Sequence, residues 1–412
     1  MKAIKGTRDI VSPEVEKWQF AERTARELCA VYGYEEIRVP LFEGTEVFAR
    51  GIGEVTDIVA KQMYTFTDAS GQSITLRPEG TASVVRAYVE LGLDNQPDIT
   101  KWYYIGPMFR YERPQKGRYR QFSQWGIEVL GTESPAVDGE VIEVLVRFIE
   151  AVGIRESELH LNSVGCKNCR PHYTAALRQS LAAKKAEMCT DCQDRLERNP
   201  LRILDCKVEK DQPLIDSLPA IDEYLCEECR THFAEVKKFL RLSGIAFVRN
   251  KRLVRGLDYY TKTTFEVIAG GLGAQNSVAG GGRYDGLVEE LGGKPTKAIG
   301  FALGMDRLIL AMPDSSTESS GVQILIVAVD DASLDYAYEK VQLSLRRGEV
   351  PCELDYQRRS LKAAMRLADK RKVNWVILVG EEERREGKVT LKNMKSGEQN
   401  RLSVEEVIEK VR

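Results

Sequence analysis

Histidine is scarce in this chain, with three in 412 residues. They are His160, His172 and His232, all within or beside one charged stretch. A nucleophile–histidine pair elsewhere in the chain is therefore not expected. No uncharged apolar run approaches the ~18 residues that a membrane-crossing helix needs. Charge of one sign is also missing. Sixty Lys and Arg face 62 Asp and Glu, for a net charge of -2. That excludes nucleic-acid binding by bulk charge, so any basic surface must be local. Apolar residues make up 43%, enough to fill cores and to exclude a mostly disordered chain. No phosphate-binding Walker loop is present, and no GxGxxG follows a strand pattern. If phosphates are handled, arginines and metal ions must do it. The start, MKAIKGTRDI, is charged and has no apolar stretch of a signal peptide, so a cytoplasmic protein with reduced thiols is expected.

What is present falls into three regions. In the first, Pro13–Val31 reads as an amphipathic helix with Ser12 as N-cap and Pro13 at the first helical position. Its apolar stripe would be Val15, Trp18, Phe20, Ala21 and Leu28. Residues 35–39, 73–76, 102–108 and 122–130 read as strands, and the pattern resumes at 254–260 and 263–268. Helices do not alternate regularly with these strands, which predicts an α+β core on an antiparallel sheet. A helical, Cys-rich insertion spans about 161–246. From 321 to 412 strands and helices alternate, which predicts a small α/β domain with a mainly parallel sheet. Residues 313–321, rich in serine, read as the linker. The expected division is thus 1–320 and 321–412.

The segment 109–122 carries Arg110, Arg113, Lys116, Arg118 and Arg120 around a Pro/Gly turn between two strands. Guanidinium forks match phosphate oxygens in pairs, so such a hairpin suits a polyphosphate or a nucleic-acid backbone. This segment resembles the second signature motif of class II aminoacyl-tRNA synthetases. Gly300–Leu308 resembles the third, and Tyr34–Phe42, with Pro40, the first. The run Arg255-Gly256-Leu257-Asp258-Tyr259-Tyr260 and Gly280–Leu287 are similar to histidine-specific motifs, and Leu76–Thr81 resembles the amino-acid-binding stretch of the same family, so the chain is identified as a member of the histidyl-tRNA synthetase family.

The resemblance implies a class II catalytic core and a C-terminal anticodon-binding domain. It implies a ligase that makes histidyl-adenylate from histidine and ATP with Mg2+, then passes histidine to the 3′ end of its tRNA, as a homodimer. Arg110 is then the α-phosphate clamp, Arg118 and Arg307 hold the distal phosphates, and Arg255 faces Arg110 across the α-phosphate. Arg110 and Arg255 are the catalytic pair. Glu79, Thr81 and Gln124 would take the histidine ammonium group. Glu128 and Tyr260, with Tyr259, would read the imidazole. Gln115 would approach the tRNA end. A regulatory paralogue of ATP phosphoribosyltransferase shares such a core, but a basic α/β C-terminal domain and the full 255–260 motif set this chain apart from it.

Two local patterns remain. Arg358–Lys372 holds seven basic residues and one acid, and Arg359, Lys362, Arg366 and Lys370 would share a helix face suited to tRNA phosphates. Seven of the nine cysteines lie between Cys166 and Cys229. Six form Cys-x-x-Cys pairs: Cys166/Cys169, Cys189/Cys192 and Cys226/Cys229. Two such pairs can close a tetrahedral zinc site, so at least one structural zinc is expected. Which pairs combine stays open, as does a part for Cys206, His172 or His232.

Overall fold

A computed structural model of the chain describes residues 1–52, 58–255, 259–270, 277–314 and 323–411. The chain divides into two compact units, Met1–Thr317 and Glu318–Arg412. Each is described by itself.

The first unit is built on an eight-stranded sheet. Its strands run in the order Glu35–Glu36, Thr100–Phe109, Gln121–Leu130, Ala298–Gly304, Ser277–Arg283, Thr261–Ala269, Ser157–Ser163 and Val248–Arg249. The six long strands are antiparallel, and only the two-residue strands at the edges pair in parallel. This is the antiparallel core that the lack of regular strand–helix alternation pointed to. Side chains alternate across the sheet, and that alternation separates core from site. Trp125, Ile127 and Val129 of one strand and Ile299, Phe301 and Leu303 of the next pack against helices Glu14–Val31, Pro135–Ala151, Glu227–Leu242 and Met305–Ala311. Gln124, Gly126 and Glu128 alternate with them, on the other face.

Several expected boundaries move. The first helix starts at Glu14 with Pro13 at the N-cap, and the Ser12 hydroxyl bonds the Glu16 carboxylate instead of capping a backbone amide. The helix buries Trp18, Ala21, Ala25 and Cys29. The strand expected over 35–39 keeps only Glu35–Glu36, because Pro40 has no amide to continue a ladder. Residues 73–76 form a strand, but in a separate three-stranded sheet with Phe42–Gly44 and Tyr64–Thr67. Of the strand expected over 254–260, none of the described residues is in a ladder. Val254, Arg255, Tyr259 and Tyr260 lie outside any strand, and 256–258 lie outside the described residues. The insertion is also shorter than 161–246. Residues 161–163 belong to the sheet, and Phe233, Val236 and Leu240 pack in the main core.

The second unit has a five-stranded sheet ordered Cys352–Leu354, Ile324–Ala328, Trp375–Val379, Val389–Asn393, Gln399–Leu402. The first three are parallel and the last two antiparallel, so the sheet is mixed. The chain returns from Val389–Asn393 through a tight turn, and a two-stranded return of that kind is antiparallel by necessity. Most of the expected linker, 315–321, lies outside the described residues.

Candidate active site

Strand Gln121–Leu130 faces a cleft with its polar residues. Four arginines reach the same cleft: Arg110, Arg118, Arg255 and Arg307. Each is steered by backbone or a single acid. Arg110 Nε donates to the Pro78 carbonyl at 2.8 Å, and its guanidinium lies over the Phe122 ring. Arg118 pairs with Glu112. Arg307 donates to the Ser277 and Gly117 carbonyls. It stands in a helix whose first turn is anchored by Asp306, which accepts from Ser123 N and pairs with Arg8 at 3.3 Å. Arg255 pairs with Glu266 at 2.9 Å, while its Nε is buried without a hydrogen bond among the described residues.

Burial lowers the pKa of Arg110, Arg118 and Arg307. For Arg110 and Arg118 the neighbouring arginines lower it further. Desolvation also acts downward on Arg255, but Glu266 and the two tyrosines outweigh it and the pKa is raised. A guanidinium stays charged in every case. The lowering reports burial, and at Arg110 and Arg118 also the crowding of arginines on one another, and a cleft so rich in arginine fits a polyanion. Gly280 makes room, since a Cβ there would fall on the Arg255 guanidinium.

Beside the arginines lies a buried polar group. Glu128 is fully buried. It accepts from the Thr81 hydroxyl at 2.6 Å and from the Tyr284 phenol. A Cβ at its register partner Gly300 would fall on the Glu128 carboxyl. Burial pushes the Glu128 pKa up to about 8, and Glu79 adds to the rise against the two hydrogen bonds. Glu79 is itself buried, with its pKa raised by desolvation. It accepts from the amides of Thr81 and Ala82 at 3.0 and 2.8 Å, the first turn of helix Thr81–Glu90. An acid is favoured there by the free amides of a helix start. Tyr259 and Tyr260 stack tilted at 4.8 Å, with Tyr259 edge-on to Tyr284 at 5.7 Å. Gln124 Oε1 and the Tyr104 hydroxyl are buried without hydrogen bonds among the described residues. Buried polar atoms are ordinarily hydrogen-bonded, so these two stand out beside the cleft.

Glu79, Thr81, Gln124, Glu128, Tyr259, Tyr260, Arg110, Arg118, Arg255 and Arg307 thus line or border one region. The phenol bonded to Glu128 is that of Tyr284, a residue not among those expected at the site. Tyr284 stands in the Gly280–Leu287 motif, and its part was unreadable because strand register decides which of three nearby tyrosines faces the acid. Tyr104 was likewise missed, as one aromatic among several in an apolar strand. Gln115 sits exposed at the tip of the arginine hairpin, paired with Arg118 across a turn with Gly117 at φ 72. In the second unit, Lys362 and Arg366 are exposed on helix Leu361–Lys370, opposite buried Ala364 and Ala368. Arg359 precedes that helix and is held by Asp355 and Gln357, so it leaves the expected stripe. His232 is bound to Asp138, which also pairs with buried Arg283, and it takes no place among the cysteines.

Comparison with known proteins agrees with the geometry. A sequence model described as histidyl-tRNA synthetase matches residues 6–308, and one described as an anticodon binding domain matches 323–412. The chain is 50% identical to the histidine–tRNA ligase of Solibacter usitatus over 99% of its own length and 98% of the relative's. It is 49% identical to that of Desulforamulus reducens, over 98% and 97%. Among solved structures, apo Staphylococcus aureus histidyl-tRNA synthetase superposes with a TM-score of 0.82 at 36% identity, covering 100% of this chain and 99% of that one. An arginine-lined cleft beside a buried acid, on an antiparallel sheet, and relatives matched from end to end lead to one conclusion: the chain belongs to the histidyl-tRNA synthetase family.

Proposed function

We propose that this chain charges tRNA with histidine in two steps at the cleft just described. The histidine carboxylate attacks the α-phosphate of ATP, forming histidyl-adenylate and releasing pyrophosphate. A hydroxyl at the tRNA 3′ end then takes the histidyl group and releases AMP. Attack brings two anions together, so the barrier is lowered by positioning and by fixed positive charge. Arg110 and Arg255 hold the α-phosphate from opposite sides, and Arg118 and Arg307 hold the distal phosphates. Mg2+ accompanies ATP as its counter-ion. The observation that carries this reading is the set of four arginines around one cleft, three of them with lowered pKa values.

Glu79, Thr81 and Gln124 receive the histidine ammonium group. Glu128, with Tyr259 and Tyr260 alongside, reads the imidazole. A ring without nitrogens would leave these buried groups unpaired, which supports discrimination. Residues 1–320 carry the chemistry and 321–412 read the anticodon, with Lys362 and Arg366 on tRNA phosphates and Gln115 near the acceptor end. The same reading takes the protein as a cytoplasmic homodimer whose Cys-rich insertion holds at least one structural zinc ion. Among the described residues no helix is long and apolar enough to cross a membrane.

Replacing one side of the α-phosphate clamp tests the assignment. Arg255→Ala is expected to lower histidine-dependent adenylation by about 10²–10³-fold and to leave tRNA affinity nearly intact. Equal losses in both would contradict the role.

A further inference from the structure

The insertion between strand Ser157–Ser163 and helix Glu227–Leu242 has little to hold it together. Among its described residues there is no strand, and apart from helices Cys169–Leu181 and Thr190–Arg198 its helical segments are short, most of them 3₁₀. Its one apolar cluster runs from Cys169 to Cys229 and includes four buried cysteines. A domain of this size rarely stabilises itself by apolar burial alone and commonly uses a staple. All nine cysteines of the chain are free, so the staple is not a disulfide.

The side chains gather into two separate groups. Cys166, Cys169, Cys226 and Cys229 form one. Cys189, Cys192, Cys206 and Asp211 form the other. Within each group the potential ligand atoms all lie within 4.8 Å of one another. A tetrahedral Zn2+ with Zn–S bonds of about 2.3 Å puts its sulfurs about 3.8 Å apart. The sulfurs of Cys166 and Cys169 are 3.6 Å apart, and those of Cys166 and Cys226 are 3.9 Å apart. In the second group Cys189 and Cys206 are 3.9 Å apart. A carboxylate oxygen at about 2.0 Å from the metal would lie about 3.5 Å from a bound sulfur. Cys206 Sγ and Asp211 Oδ2 are 3.5 Å apart. These spacings suit one ion among four ligands. A polynuclear iron–sulfur cluster interposes several metal atoms and needs its thiolates further apart.

A backbone amide reaches one sulfur in each group. The Cys226 amide donates to Cys169 Sγ at 3.1 Å, and the Val208 amide donates to Cys206 Sγ at 3.4 Å. The Asp211 carboxylate accepts from the Cys189 amide at 3.1 and 3.2 Å, which fixes its orientation toward the thiols. Such hydrogen bonds orient metal ligands and hold their charge.

We propose that the insertion carries two structural zinc sites, a Cys166/Cys169/Cys226/Cys229 site and a Cys189/Cys192/Cys206/Asp211 site. This deepens the reading that the insertion holds zinc, and it assigns each pair a partner. The two sites do different work. The first joins the point where the chain enters the insertion to the point where it leaves. Its entry side is bonded to the main sheet, since Val164 N donates to the Lys262 carbonyl and Lys262 N to the Gly165 carbonyl at 2.8 and 3.0 Å. Lys262 also pairs with Glu228 at 2.6 Å. The second site ties together only the segment from Cys189 to Asp211, within the insertion.

Metal content of the full-length protein, purified from zinc-supplemented medium, decides the matter. Two zinc ions per chain are expected, falling to about one in Cys169→Ser and to about one in Cys206→Ser. Asp211→Asn is expected to hold its second ion more weakly against a chelator than the unaltered chain. One ion per chain would overturn the two-site assignment while leaving a zinc-bearing insertion standing. No zinc would overturn both. If a variant fails to fold, cobalt titration of the unaltered, zinc-stripped chain replaces it. Two binding steps with thiolate-to-cobalt absorption, the stronger from the four-cysteine site, support the proposal, and a single step overturns it.

Discussion

Glu128 occupies a strand position that an aliphatic side chain would fill at no electrostatic cost. Its carboxyl is buried beside Glu79, and its pKa is pushed up to about 8. The unfolded chain releases that proton near pH ~4.3. Between these values the folded state holds a proton that the unfolded state has lost, so stability falls as pH rises toward 8 and then levels. Glu128→Gln removes this group from the balance. The variant should gain on the unaltered chain by a few kcal/mol between about pH 5 and 8, measured by calorimetry at each pH. Parallel melting curves across that range would refute the shifted carboxyl. The same variant should raise the KM for histidine by about 10–100-fold, the loss of one hydrogen bond to a charged or polarised group. Residue identity at this site was partly legible in the sequence. The arginines and Glu128 stand within motifs. The partner of Glu128 was not legible, because choosing among Tyr259, Tyr260 and Tyr284 depends on where strand Ser277–Arg283 ends.

At the scale of elements, the sheet does the sorting. One strand, Gln121–Leu130, gives Trp125, Ile127 and Val129 to the core and Gln124 and Glu128 to the cleft. Alternation in the sequence announces such a division only when one face is polar. Here both faces are buried, so alternation did not mark Glu128 and only its motif did. The described part of the strand expected at 254–260 departs for a related reason. Tyr259 and Tyr260 pack as a tyrosine cluster against Tyr284 and Leu287 and lie outside any strand. Helix Leu361–Lys370 shows the reverse case. Its stripe was legible from spacing, but Arg359 is withdrawn by Asp355 before the helix begins. Lys362 and Arg366 carry no ion pair among the described residues. Lys362→Ala with Arg366→Ala should therefore weaken tRNA binding similarly for all sequences. It should also lower the slope of log affinity against log salt by roughly one to two. An unchanged slope would remove the helix from the tRNA surface.

Across the whole molecule, near-neutral net charge conceals a concentration of arginine in one cleft. Glu112 and Glu266 pair with two of those arginines, and the backbone carbonyls of Pro78, Ser277 and Gly117 hold the other two in place. Seven of the nine cysteines, spread in sequence over the 64 positions from Cys166 to Cys229, converge as two groups, and Cys206 and Asp211 join the pairs only in three dimensions. Spacing alone marks pairs; folding marks which pairs meet. The central claim is that this cleft activates histidine. ATP–pyrophosphate exchange without tRNA tests it most directly, because exchange reports adenylate formation and nothing later. Exchange should appear with histidine and stay at background with each of the other amino acids. Background exchange with histidine, or equal exchange with an apolar aromatic amino acid, would contradict the account.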